Sequence, residues 1–281
     1  MQKIIFITGC STGIGYEAAG ALHQKQYRVI ASCRKKEDLT RLEEQGIEAL
    51  QMDMNDNASI HQGFELLMQK TNGQLDVLIN NAGYGQTGAL EDIERNTLRE
   101  QFETNVFGLM ELTRLVIPVM RRQKAGRIIN MSSILGLISM PFRGAYNASK
   151  YAVEGLSDTL RLELQSSGIK VITIEPGPIE SRFRDNAISY SLTKINQKDS
   201  HFSTQYDFML NHFREQKSKS TFTCGPDAVI KKIIHAIEAK NPKPQYRVTF
   251  PAHFLAFLKR ILSVRMLDRF IGFVSRKELG E

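Results

Sequence analysis

Short apolar runs alternate with helix-length amphipathic segments through most of this 281-residue chain. The runs IIFI, VLIN and VITI are apolar throughout, as strands covered on both faces should be. Each run is followed by a segment long enough to form a helix. This βαβα repetition predicts an α/β fold, a doubly wound parallel sheet with helices on both faces. Ligands of such sheets bind beyond the carboxyl ends of the strands.

The regular alternation of strands and helices predicts one domain over residues 1–250. The alternation is interrupted within the second half of that range. Residues 182–222 are polar, carry scattered aromatic side chains and show no clear period. A segment of this length inside a compact domain is usually functional, so we predict a substrate lid over about 182–222.

Residues 251–281 predict a basic amphipathic helical extension. One apolar face contains Phe254, Phe257, Leu258, Ile261 and Leu262, and Lys259, Arg260, Arg265 and Arg269 lie around the opposite side and the ends. Such a helix either packs against protein, as a cover for the sheet edge or a subunit contact, or lies on an anionic membrane surface. The sequence leaves both interpretations open.

Composition narrows the function classes. The net charge is +7, but the basic residues are scattered and form no aromatic-interleaved cluster, which argues against nucleic acid. Cys10, Cys33 and Cys224 have neither disulfide nor zinc-ligand spacing, so we expect a reducing compartment and no metal. The first residues show no secretory signal and no run of about 18 apolar residues occurs, so we expect a cytoplasmic protein, with peripheral membrane contact as the alternative.

A glycine-rich turn, TGCSTGIG, follows the first predicted strand. Gly9, Gly13 and Gly15 allow a tight turn and the close approach of a pyrophosphate to the start of a helix. Ser11 and Thr12 add hydroxyl donors. The position of this turn favours dinucleotide binding, although its spacing differs from the usual GxGxxG.

The second and third strands end in residues suited to the adenosine end of such a cofactor. Cys33 and Arg34 stand where an acidic residue would bind the 2′-hydroxyl of NAD, and a planar cation suits a 2′-phosphate, so NADP(H) is preferred over NAD(H). The alternative is a solvated charge run. Asp53 either accepts from the adenine amino group or caps the next turn.

The fourth and fifth strands add polar groups to the same edge. Asn81 in NNAG either contacts the cofactor or ties neighbouring strands together. The strand GRIINMSS delivers Ser132 and Ser133. Because side chains alternate along a strand, Ser133 is the better candidate for catalysis and Ser132 points to the other side.

Tyr146 stands four positions before Lys150 in AYNASKYAVEGL. On a helix these residues share a face, so the ammonium group can lie near the phenol and lower its pKa. The pair then forms a tuned acid and base. An isolated pair of this kind is more often two ordinary helix neighbours, so the surrounding motifs decide.

These motifs together resemble the short-chain dehydrogenase/reductase family over about residues 3–182, through TGCSTGIG, NNAG, Asn105, MSS, YNASK and Pro176-Gly177. The branch with 17β-hydroxysteroid dehydrogenases, retinol dehydrogenases and bacterial NADP-dependent aldehyde reductases is most similar. The resemblance implies a single Rossmann-type domain and a homo-oligomer, either a dimer or a tetramer.

The resemblance also implies roles for individual residues. Tyr146 is the general acid in reduction and the base in oxidation, and Lys150 lowers its pKa and holds the nicotinamide ribose. Ser133 donates to the carbonyl oxygen, and Asn105 positions a water molecule beside Lys150. Ser181 keeps the hydroxyl of the usual Thr. The cofactor contacts are expected from Gly9, Ser11, Thr12, Gly13, Ile14, Gly15, Arg34, Asp53, Met54, Asn81, Ala82, Gly83, Tyr146, Lys150, Pro176, Gly177, Ile179 and Ser181.

The sequence therefore predicts an NADP(H)-dependent oxidoreductase that interconverts carbonyl and alcohol groups on an apolar aldehyde, ketone, retinoid-like or steroid-like substrate. The main alternative is a catalytically silent protein that senses NADP(H). A membrane-associated scaffold that uses its basic tail is a third interpretation.

Overall fold

The computed structural model describes residues 2–180, 193–215 and 222–279. The strands are β1 (Ile4–Ile7), β2 (Arg28–Cys33), β3 (Glu48–Gln51), β4 (Val77–Asn80), β5 (Gly126–Met131), β6 (Ile169–Pro176) and β7 (Gln245–Val248). The helices are α1 (Gly13–Gln24), α2 (Lys36–Glu43), α3 (Asn57–Lys70), α4 (Arg95–Phe102), α5 (Leu109–Gln123), α6 (Gly144–Glu163), α7 (Ser203–Glu215), α8 (Pro226–Glu238), α9 (Phe250–Ile261) and α10 (Val264–Leu279).

The described strands form one parallel sheet of seven strands in the order β3-β2-β1-β4-β5-β6-β7. The predicted doubly wound parallel sheet is confirmed. The strand order reverses between β1 and β4, so the loops after these two strands diverge and open a crevice at the carboxyl edge.

The apolar strands are buried on both faces because each feeds two cores. In β1, Ile5 and Ile7 pack with α1 and α8, whereas Ile4 and Phe6 pack into the layer under α3 and α5. This arrangement explains why the strand runs are apolar throughout.

The predicted lid lies only partly within the described residues. Helix α7 belongs to it, whereas residues 181–192 and 216–221 lie outside the described ranges. The Tyr206 hydroxyl at 2.8 Å and the Ser200 hydroxyl at 2.7 Å both donate to Asp92 Oδ2, and Tyr206 Oη also accepts from Ala89 N. These bonds attach α7 and its preceding turn to the loop after β4.

The carboxyl-terminal extension forms two helices, α9 and α10. Helix α9 turns Ala252 and Ala256 inward against Ile134 and Leu135. The predicted apolar face at Phe254, Phe257 and Ile261 is therefore not the face that packs on the protein core; these side chains are 39%, 58% and 58% exposed. Among the described residues, no helix combines the length and the apolar character that crossing a membrane requires.

A chain of buried polar side chains crosses the sheet below the carboxyl edge. Asn80 Nδ2 donates to Thr113 Oγ1 at 2.9 Å and to Asn130 Oδ1 at 2.8 Å. Asn130 Nδ2 in turn donates to Ser157 Oγ at 2.8 Å. The chain fixes α5 and α6 against β4 and β5, the elements that carry the site.

We expect Asn80→Ala to lower the free energy of unfolding by about 1–3 kcal/mol, because it leaves buried oxygens of Thr113 and Asn130 without a donor. Urea unfolding followed by circular dichroism measures the change. Asn96→Ala, at an exposed position on α4, is the matched control and should change stability by less than about 0.5 kcal/mol. Equal unfolding midpoints for the two variants would contradict the role of this chain.

Candidate active site

The glycine-rich turn follows β1 and opens helix α1. Gly9 and Gly13 have φ values of +71° and +65°, which glycine adopts without strain. A methyl group added to Gly9 would lie 2.6 Å from Ala82 Cα, and one added to Gly15 would lie 2.3 Å from Asn81 Nδ2. Two of the glycines are thus required by packing against the loop after β4, in addition to the tight turn.

Asn81 ties the two diverging loops together. Its Nδ2 group donates to the carbonyls of Thr8 at 2.9 Å and Gly9 at 3.0 Å. The Thr8 hydroxyl accepts in return from the amides of Asn81 at 3.1 Å and Ala82 at 3.0 Å. Of the two interpretations of Asn81, the structure supports the tie between strands.

The start of α1 fits an anionic group. Thr12 is the extended N-cap residue but forms no side-chain capping bond, and the first turn contains no acidic residue. The first amide groups of this helix are therefore available to a phosphate. Ser11, Gly13 and Ile14 are partly exposed at the same turn.

Arg41 on α2 is a cation beside the glycine-rich turn that the sequence analysis missed. Its Nη2 group donates to Ser11 O and to Asp38 Oδ1, and its guanidinium lies 5.0 Å from the Tyr16 ring centroid. Its Nε is buried without a hydrogen-bond partner among the described residues. No sequence pattern indicates that α2 folds back over the glycine turn. Arg34, at the end of β2, is exposed as expected.

Asp53 caps the turn that follows β3. Its Oδ1 accepts from Asn55 N at 3.0 Å, as one of the two interpretations requires. The next residue, Met54, packs through its backbone against the turn that precedes α5: a methyl group at Gly108 would lie 2.0 Å from Met54 O. The third strand is thereby held close to the helical segment that carries Asn105.

The segment after β6 completes the carboxyl edge of the sheet on the side of β7. Gly177 N donates to Val248 O at 3.0 Å, and a methyl group at Gly177 would lie 2.2 Å from Thr249 Oγ1. Ile179 pairs with Cys224 in a short parallel bridge. Pro176 ends β6, and Ser181 lies outside the described residues.

Three side chains with acid–base or donor capacity meet at the ends of β5 and α6. Ser133 is buried and its hydroxyl hydrogen-bonds to the Tyr146 phenol. Lys150 is 5% exposed, and its Nζ donates to Met131 O at 2.7 Å and lies 5.7 Å from the Tyr146 ring centroid. The structure thus brings Ser133, Tyr146 and Lys150 together, as the motif spacing predicts.

The expected fall in the pKa of Tyr146 is wrong for the protein alone. Burial raises the pKa of Tyr146 to about 12, and the Ser133 hydrogen bond and the charge of Arg143 oppose this rise only in part. Burial also lowers the pKa of Lys150 to about 8, opposed by Glu154. The Lys150 ammonium group donates to the Met131 carbonyl, and desolvation is the largest cause of the raised phenol pKa.

Asn105 lies in a π-helical turn, Glu103–Gly108, between α4 and α5. Asn105 is fully buried. Its Oδ1 accepts from Tyr84 N at 3.1 Å, and its Nδ2 donates to Tyr84 O at 2.9 Å and to Ser149 Oγ at 3.1 Å. A methyl group at Gly83 would lie 3.1 Å from Asn105 Oδ1 and 3.7 Å from Lys150 Nζ. The π turn therefore places Asn105 beside the buried lysine.

Glu154 is a second residue that the sequence analysis missed. It follows Lys150 by one helical turn on α6, is 6% exposed, and burial raises its pKa to about 7, opposed by the Ser132 hydroxyl. The Ser132 hydroxyl lies near Glu154, but neither the hydroxyl nor the two carboxylate oxygens forms a hydrogen bond with a described residue. The spacing rule that pairs Tyr146 with Lys150 also identifies Glu154.

An apolar cluster packs against the ring of Tyr146. It combines the turn after β5 with the inner faces of α9 and α10 and includes Ile134, Leu135, Ile138, Leu255, Leu267 and Phe270. The acid–base group therefore faces apolar surface. Among the described residues, no group of three or more His, Cys, Asp or Glu side chains is placed to hold a metal ion.

Comparison with known proteins gives consistent matches. The family profile described as short chain dehydrogenase matches residues 3–190. An uncharacterized oxidoreductase of Escherichia coli, YbbO, is 41% identical over 96% of this chain and 94% of its own length. Human retinol dehydrogenase 8 is 31% identical over 85% of this chain and 79% of its own. A solved structure of ElxO with NADP bound has a TM-score of 0.71 at 25% identity, and the match covers 88% of this chain and 97% of that one.

We expect the Glu154→Gln variant to gain stability relative to the parent as pH rises from about 4.5 to about 7. Because the folded-state pKa of Glu154 is raised to about 7 from 4.5, its contribution to stability is present below pH 4.5 and is lost as pH rises through about 7. The glutamine of the variant does not ionise, so the variant does not lose this stability, which amounts to at most about 3 kcal/mol. Thermal unfolding across this range measures the difference. Glu163→Gln, exposed on the same helix, is the matched control, and superimposable profiles for the two variants would contradict the assignment.

Proposed function

The chain belongs to the short-chain dehydrogenase family, and on this basis we propose that it is an NADP(H)-dependent oxidoreductase that interconverts carbonyl and alcohol groups on an apolar substrate. The observation that carries the proposal is the meeting of the buried Ser133 and Lys150 with the half-buried Tyr146 at the carboxyl edge of the sheet. The uncapped start of α1 lies along the same edge.

The residues of this chain supply the proton chemistry. When bound, the dinucleotide supplies the hydride that reduces the carbonyl carbon. Tyr146 donates its phenolic proton to the carbonyl oxygen and takes a proton back in the reverse direction, while the Ser133 hydroxyl donates to the same oxygen. A pKa of about 12 keeps the phenol protonated at neutral pH, the form that donates a proton in reduction.

The assignment of NADP(H) as the cofactor rests on residues that could contact each part of the dinucleotide. The first amides of α1, with Ser11 and Thr12, would hold the pyrophosphate, and the backbone from Pro176 to Ile179 would meet the carboxamide. The exposed Arg34 and the unpartnered Nε of Arg41 offer two cations to a 2′-phosphate. The bound NADP in the related ElxO structure supports the same choice.

The substrate class follows from the surroundings of Tyr146. The apolar cluster formed by α9, α10 and the turn after β5 offers a carbonyl compound few polar partners beyond Ser133 and Tyr146. Aldehydes, ketones and retinoid-like or steroid-like molecules suit such a wall. The name of the related retinol dehydrogenase supports an apolar substrate.

We also propose that the protein is cytoplasmic and forms a homo-oligomer. Cys10, Cys33 and Cys224 are all free, as a reducing compartment would leave them. Family resemblance is the ground for a dimer or a tetramer.

We expect Tyr146→Phe to lower kcat by about 100-fold or more, because the phenyl ring keeps the packing but has no proton to give. Loss of NADPH absorbance with a panel of aldehydes, ketosteroids and quinones measures turnover, and NADPH fluorescence measures binding, which should persist. Tyr151→Phe is the matched control, since Tyr151 Oη donates to Leu137 O at 2.6 Å on the exposed side of α6. Turnover that survives in Tyr146→Phe would refute the proton-donor role. Binding of NADPH without turnover of any substrate in the parent would favour a sensor.

We expect Arg34→Asp and Arg41→Gln each to raise the Kd of NADPH by about tenfold or more and to leave that of NADH nearly unchanged, because only NADPH carries the 2′-phosphate. Fluorescence titration with both nucleotides measures the ratio. Lys232→Gln, at an exposed cation on α8, controls for net charge. Equal losses for the two nucleotides would rule out the 2′-phosphate assignment.

A further inference from the structure

Helix α9 carries four large apolar side chains on the side away from the protein core. Its inner face uses the small residues Ala252 and Ala256. The opposite side, which we call the outer face of α9, consists of Phe250, Phe254, Phe257 and Ile261, at 65%, 39%, 58% and 58% exposure. Four large apolar side chains along one helix form a contiguous patch, and such patches usually mark an interaction site.

Helix α10 extends this surface. Met266 and Phe273 are 54% and 73% exposed, although Ile271 on the same helix is buried against the core. The rings of Phe254 and Phe270 meet at 6.1 Å, which joins the outer side of α9 to α10. The apolar surface is therefore shared by two successive helices.

The charge around this surface is strongly positive. Residues 250–276 contain Lys259, Arg260, Arg265, Arg269 and Arg276 but a single acidic residue, Asp268. All four arginines are exposed and none forms an ion pair with a described residue. Lys259 is held by Leu137 O and Tyr151 Oη.

We propose that the outer face of α9 and the adjoining part of α10 dock on an anionic lipid surface. The phenylalanines enter the headgroup boundary and the free arginines pair with lipid phosphates and carboxylates. Apolar burial and electrostatic attraction act together in this arrangement, as stable peripheral attachment requires.

Charge argues against a second copy of the chain as the occupant. A two-fold contact would place this face against itself, so Arg260, Arg265 and Arg269 of both copies would crowd together with only Asp268 to offset them. An anionic bilayer supplies the missing negative charge. A homo-oligomer built on another surface is compatible with docking.

The docking surface and the wall of the active site are carried by the same two helices. Leu255, Leu267 and Phe270 contribute to the apolar cluster around Tyr146, while the outer face of α9 is turned to solvent. Resting on the proposed function, this arrangement brings an apolar substrate dissolved in the bilayer close to Tyr146.

The test is flotation of the full chain with phosphatidylcholine vesicles, with and without about one-third phosphatidylserine, at low and high salt. We expect binding to the anionic vesicles that weakens as salt rises. The double variant Phe257→Ser/Ile261→Ser should lower the partition coefficient by about tenfold or more. Leu66→Ser/Leu162→Ser removes exposed apolar side chains elsewhere and should bind like the parent.

A second pair of variants tests the charge. Arg260→Gln/Arg265→Gln should weaken binding to anionic vesicles, whereas Arg121→Gln/Arg122→Gln, exposed at the end of α5, should leave it unchanged. Failure of the parent to float with anionic vesicles would overturn the proposal. The proposal would also be overturned if sedimentation showed a dimer of the parent that the Phe257→Ser/Ile261→Ser variant dissociates.

Vesicle binding is measured without cofactor, so the docking proposal and the proposed oxidoreductase function are tested independently of each other. Tyr146→Phe should float like the parent even though its turnover is lost. Conversely, if docking is wrong, turnover of a short water-soluble aldehyde by the parent remains as expected.

Discussion

The bonds between the Thr8–Gly9 backbone and Asn81 are the interaction on which the site depends. They join β1 to the loop after β4 at the point where the strand order reverses and no ladder holds the loops. The Thr8 hydroxyl completes the tie by accepting two amides of the opposite loop. The contact is so close that Gly9 and Gly15 cannot carry a side chain. The start of α1 is thereby fixed beside the Gly83 loop, with its first amides directed at the crevice.

Helix α6 orders the chemistry through burial. It carries Tyr146, Lys150 and Glu154 at successive turns. Desolvation shifts the pKa of each group in the direction that favours its neutral form. The neutral phenol is a proton donor at physiological pH. The ammonium group of Lys150 is directed at Met131 O and is itself costly to bury. Glu154 offsets part of that cost.

The carboxyl-terminal helices connect the site to the molecular surface. Their inner sides pack Ala252 and Ala256 of α9 and Ile271 of α10 against the turn after β5. Their outer sides keep Phe250, Phe257 and Phe273 in solvent, surrounded by arginine. A helix that only covered a sheet edge would have the opposite distribution, with its large apolar side chains inward.

The sequence alone determined the parallel sheet, the position of the site at its carboxyl edge and the meeting of Ser133, Tyr146 and Lys150. Apolar runs buried on both faces, glycine at a sharp turn and the i, i+4 spacing on α6 are local rules that act before tertiary packing. Only the tertiary structure decided which face of α9 is buried, that Asn81 joins two loops, that Arg41 reaches the glycine turn and that burial raises the pKa of the phenol. Each of these outcomes depends on contacts between segments distant in the chain, and on the desolvation that those contacts impose.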